Sequence, residues 1–87
     1  MQQDLEEKMN MKDTRKKDRI AVAKVVELIG SSPTSWEEAT ANALEAASRT
    51  IRNITGIDVQ HCTAKVKDNR IVEYRADVKI AFIVELE

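Results

Sequence analysis

His61 and Cys62, the chain's one histidine and one cysteine, stand side by side, and alternating charge follows at Glu73, Arg75, Asp77 and Lys79. A histidine beside a cysteine brings metal binding and nucleophilic chemistry to mind. Adjacent residues of a strand face opposite ways, however, so a joint metal site within one chain is not expected. Each of the two can still meet its own symmetry mates at an axis. One cysteine excludes an intrachain disulfide, and one of each residue excludes a structural zinc cluster. The charges at Asp58, Glu73, Arg75, Asp77, Lys79, Glu85 and Glu87 read first as cross-strand pairs. In an oligomer, carboxylates gathered around a rotation axis would form an oxygen-lined site suited to calcium or magnesium, and the sequence leaves open which carboxylate reaches an axis. No nucleophile with a positioned base, no glycine-rich phosphate loop and no catalytic carboxylate pair stands out. The chain is not expected to be an enzyme.

The element that must position these groups is residues 31–53, which read as one amphipathic helix of about 20 residues with its start signal attached. Ser35 followed by Glu38 has capping-box spacing, and Ser32 before Pro33 is the rival start. At about 100° per residue, Trp36, Ala39, Thr40, Ala43, Leu44, Ala47, Thr50, Ile51 and Ile54 share one side, and Glu37, Glu38, Asn42, Glu45, Ser48, Arg49, Arg52 and Asn53 the other. The apolar side is mostly small, so the helix can approach a sheet closely. Trp36, on that side in the first turn, reads as a packing residue.

Strands are expected on both sides of the helix. Residues 20–29 are rich in β-branched side chains and apolar on both faces, ending at Gly30. Gly56 is placed as the left-handed residue that closes the helix. Residues 57–67 then extend to Asp68 and Asn69, which fit a two-residue hairpin turn. In residues 71–86, Val72, Tyr74, Ala76, Val78, Ile80, Phe82, Val84 and Leu86 alternate with the charged positions. This strand is longer than the helix, so its apolar excess near Phe82 to Leu86 calls for cover from another subunit. The order β-α-β-β makes an α+β unit, an antiparallel sheet of three strands packed on one helix.

Eighty-seven residues, 43% hydrophobic and 33% charged, bound the chain to one small folded domain. A core of that size is a weak source of stability. With disulfide and zinc excluded, self-association is the expected remedy. A net charge of −1 gives no support for a nucleic-acid partner, and no apolar run reaches the length of a membrane span. The first 20 residues lack the apolar stretch of a secretory signal, so a cytoplasmic location is expected. Residues 1–19, with six Lys or Arg and five Asp or Glu, read as a charged arm outside the core, and residues 20–87 as the domain.

Three segments, KVVELIGSSPTSWEEA, ASRTIRNI and RIVEYRADVKIAFIVEL, together resemble the dodecins. The resemblance spans about residues 22–86 and implies a hollow homododecameric shell without catalytic activity. It also implies storage or buffering of a flavin, riboflavin or FMN, stacked between aromatic rings at a two-fold axis. By this resemblance Gly56 stands where flavin-binding members carry a stacking Trp, and Arg75 where they carry a Gln that bonds the flavin edge. His61 falls near the same pocket. The SPTSW segment is similar to a subset of the family associated with calcium, which makes a calcium- or magnesium-binding cage the alternative.

Overall fold

A computed structural model describes residues 20–86. They form β1 (Ile20–Ser32), α1 (Trp36–Ser48), β2 (Ile54–Lys67) and β3 (Arg70–Leu86). The three strands make one sheet in the order β1-β3-β2, antiparallel throughout. β3 takes the centre because it carries the longest uninterrupted apolar alternation. The hairpin between β2 and β3 turns on Asp68 and Asn69, with φ of 54° and 62°. Positive φ at both central residues is what a tight turn matched to strand twist requires.

The helix packs on the face carrying Ala76, Val78 and Ile80. Its own contribution is Ala39, Ala43 and Ala47, one residue per turn, and these six are the buried hydrophobic core. The apolar stripe is narrower than the sequence pattern predicts: Leu44 and Trp36 remain 38% and 39% exposed. With small residues at the contact, the helix lies nearly on the backbone of β1. Gly30 makes this possible, because a Cβ there would overlap the Ala39 carbonyl oxygen and stand 2.9 Å from the Ala43 Cβ.

Four local expectations are corrected. The helix covers 13 residues, about 20 Å, not the whole of residues 31–53. Gly30 does not end β1, which continues through Ser31 and Ser32 opposite Arg75 and Tyr74. The capping box is half formed: the Glu38 backbone N–H donates to Ser35 Oγ at 2.9 Å, but the Glu38 carboxylate turns to the hydroxyls of Ser32 and Thr34. Ser32 anchors the turn instead, its Oγ accepting from the backbone N–H groups of Thr34 and Ser35. Those hydroxyl donors hold the Glu38 carboxyl below its ordinary value. Finally, Gly56 is not the helix cap. The left-handed residue is Asn53, φ 65°, a type that tolerates this region, while Gly56 lies inside β2 at a register shift.

The slab measures 61 × 28 × 14 Å, so a 13-residue helix covers about a third of its length. Phe82, Ile83 and Val84 are half-buried; the side chains expected to be covered at residues 85 and 86, and the arm of residues 1–19, lie outside the described residues. Among the described residues no helix is long and apolar enough to cross a membrane.

Candidate functional site

β-strand alternation assigns Glu73, Arg75, Asp77 and Lys79 of β3 to the sheet face away from the helix. Register carries the assignment to the neighbouring strands. Across this open face the rows run Val25–Ala81–Gly56, Glu27–Lys79–Asp58, Ile29–Asp77–His61 and Ser31–Arg75–Thr63, with Glu73 and Lys65 beyond. The three residues singled out from the sequence, Gly56, His61 and Arg75, therefore share one face. Only two of them are close. His61 and Arg75 are diagonal neighbours, whereas Gly56 pairs with Ala81, six residues from Arg75 along β3, or about 20 Å.

At Gly56 the face opens into a shallow depression of about 310 Å³ lined by Val25, Gly56, Ile57, Asp58, Lys79 and Ala81. The missing side chain makes the space, since a Cβ at Gly56 would meet no atom within 4 Å. His61 and Arg75 are not among its walls. The Arg75 guanidinium reaches Glu73 at 3.6 Å, a half-exposed ion pair worth roughly 0–1 kcal/mol. Val25 and Ile29 on the same face are 56% and 68% exposed, so both faces of β1 are apolar while only one is covered within the chain.

The three aromatic rings all belong to the helix side. Trp36 meets Tyr74 edge to face, centroids 4.9 Å apart, and its indole Nε1 donates to the Thr63 carbonyl at 2.7 Å. That bond ties the helix start to the β2–β3 hairpin, in agreement with a packing role. Phe82 pairs in register with Lys24 and Ile54, again on the helix side. As the chain has one Trp, one Tyr and one Phe, the open face has none of these rings, its only aromatic group among the described residues being the His61 imidazole.

His61 and Cys62 fall opposite Asp77 and Ala76, hence on different faces, as strand alternation predicts. Cys62 is exposed and free. No three His, Cys, Asp or Glu of the described residues stand close enough to hold a metal within one chain. What the sequence reading does not single out is Glu27. Hydrogen-bond contact with Asp77, then the Asp77 charge and lost hydration, raise its carboxyl above the ordinary value against the pull of Lys79 and His61. The available signal is that Glu27 is the one acid in β1; its neighbour follows only from the register.

The model of the Dodecin family matches residues 22–85. A calcium dodecin of Mycobacterium tuberculosis is 33% identical over 63 residues, which are 72% of this chain and 89% of that protein. Two solved structures share the architecture. The dodecin of Streptomyces coelicolor superposes with a TM-score of 0.74 at 25% identity, covering 77% of this chain and 96% of that one. A calcium-chelating antigen of M. tuberculosis, also a calcium dodecin and described with a novel calcium-binding site, gives a TM-score of 0.65 at 34% identity, covering 70% and 87%.

Proposed function

The chain belongs to the dodecin family, and on that premise we propose that it is a non-catalytic, self-assembling binding protein of the cytoplasm. Its assembly is a homododecameric shell, and its ligand is a divalent cation, calcium or alternatively magnesium, in place of a stacked flavin. The observation that carries this reading is the placement of the rings. All three lie on the helix side, while Gly56 offers no ring to stack and Arg75 is a donor without an acceptor. The calcium dodecin among its relatives supports the cation. Among the described residues of one chain no three such ligands gather, and in this reading the oxygens come from more than one copy. A symmetric assembly supplies that geometry, and calcium accepts the flexible oxygen sets it produces.

One feature favours a second reading, a planar ligand such as riboflavin or FMN sequestered at the subunit interface. The depression at Gly56 has apolar walls in Val25, Ile57 and Ala81 and falls at the lower end of the size range of small-molecule sites. In that reading Gly56, Arg75 and His61 border the ligand, with contributions from two copies. Replacing Gly56→Trp together with Arg75→Gln separates the readings, because the open space at Gly56 leaves room for a ring. We expect equilibrium dialysis to show FMN retained by the double variant and not by the wild type. FMN retained by the wild type as tightly as by the variant would favour the planar ligand.

A further inference from the structure

Helix α1 starts beside Tyr74 and runs toward the other end of β3, but it stops at Ser48, short of the end where β1 begins. There Ile20 stands opposite Leu86, and Val22 and Lys24 stand opposite Val84 and Phe82. β2 starts only at Ile54, opposite Phe82, so it does not run alongside residues 84–86. The link from helix to β2 closes the other side: the Ile83 N–H donates to the Asn53 carbonyl at 3.0 Å, and the Asn53 amide donates back to the Ile83 carbonyl.

Between these elements lies a groove of about 560 Å³, lined by residues 50–53 and 82–84. Its floor is apolar in Phe82 and Val84, and Val22 beside it is 40% exposed. Its rim is basic. Arg52 forms part of the wall, Lys24 flanks Phe82, and both are exposed. Glu45, the last acid of α1, is held by Arg49 at 3.0 Å.

The 19 residues before Ile20 contain a segment that complements this groove in both respects. Residues 4–11, DLEEKMNM, set Asp4, Glu6 and Glu7 against the single Lys8 and carry Leu5, Met9 and Met11. Leu5 and Met9, four positions apart, share a side in a helix and in a strand alike. Residues 12–19 join this segment to β1, and that length of chain reaches at most about 28 Å. Phe82 lies four positions from Leu86, about 13 Å along β3. The connection is therefore long enough to turn back over the groove.

We propose that residues 4–11 cover this groove of their own chain, with Leu5 and Met9 on Phe82 and Val84 and the acids beside Lys24 and Arg52. The arm then completes a core that the 13-residue helix leaves short. The rival cover is the body of a second copy. A short tether favours the arm, because it holds the segment near the groove at an effective concentration on the order of mM. The inference depends neither on the cation nor on self-assembly.

Carbodiimide coupling, which joins a carboxylate to an amine with loss of water, tests the arm on the full chain. Unlabelled and nitrogen-15-labelled chains are unfolded, refolded together, coupled, digested and read by mass spectrometry. The expected result is coupling of Asp4, Glu6 or Glu7 to Lys24, each linked pair wholly unlabelled or wholly labelled. Leu5→Ser with Met9→Ser removes both apolar anchors and should cut that yield about tenfold or more, while speeding hydrogen exchange at residues 50–53. No coupling to Lys24, or linked pairs of mixed label at the random frequency, would overturn the proposal. Exchange at residues 50–53 that ignores the double variant but speeds on dilution would overturn it in favour of a second copy.

Discussion

Gly30→Ala is expected to destabilise the fold by about 3 kcal/mol or more, the upper end of the cost of overpacking. The new methyl would overlap the Ala39 carbonyl oxygen and press on the Ala43 Cβ. Neither can give way easily: one is helix backbone and the other a buried residue of the helix contact. Relief requires the helix to lift off β1, which loosens the packing of Ala39, Ala43 and Ala47 over Ala76, Val78 and Ile80. Gly56→Ala is the control. No atom lies within 4 Å of its added Cβ and Gly56 does not have positive φ, so a change within about 1 kcal/mol of either sign is expected. Urea unfolding of the three proteins checks both values, and similar midpoints for Gly30→Ala and wild type would contradict the close helix contact.

Ile80→Ala is the second large effect. Ile80 and Val78 are the largest fully buried side chains among the described residues, and truncating a buried isoleucine costs roughly 2–5 kcal/mol. Against a typical domain stability of about 5–15 kcal/mol, and with six buried hydrophobic residues in the core among those described, the loss is a large share of the total. Ile29→Ala provides the contrast. At 68% exposed within one chain, it should change stability by no more than about 0.5 kcal/mol if the chain stays alone. If another copy covers Ile29 in the proposed assembly, its truncation should instead lower the unfolding midpoint with a dependence on protein concentration. Unfolding curves at two concentrations decide between these cases. An Ile80→Ala midpoint close to the wild type would contradict the packing described.

The sheet was legible where one physical requirement dominates. Strict alternation in β3 and the Asp68-Asn69 pair each admit one ready structure, so the hairpin follows from the residues. Ser35 likewise announces the helix, because its hydroxyl sits where a free N–H needs an acceptor. Glycine was the source of error. Gly30 and Gly56 look like breaks, yet both lie inside strands. Gly30 serves a close approach that depends on where the helix comes to rest, and Asn53 takes the left-handed conformation expected of Gly56. The candidate site was less legible than the fold. Alternation alone would put Gly56 and His61, five residues apart in β2, on opposite faces; only the register, with its shift between Val59 and His61, brings both to the face of Arg75 and keeps Gly56 apart from the other two. The Glu27–Asp77 contact joins residues 50 positions apart and has no local signal at all.

Equilibrium dialysis of the assembled wild-type protein, with calcium and FMN measured side by side, decides between a cation and a stacked flavin. We expect calcium to be retained with a dissociation constant below about 1 mM, within the range of protein calcium sites, and no FMN to be retained at about 100 μM, a level at which a micromolar site would be filled. Micromolar binding of FMN with no calcium retained would contradict it.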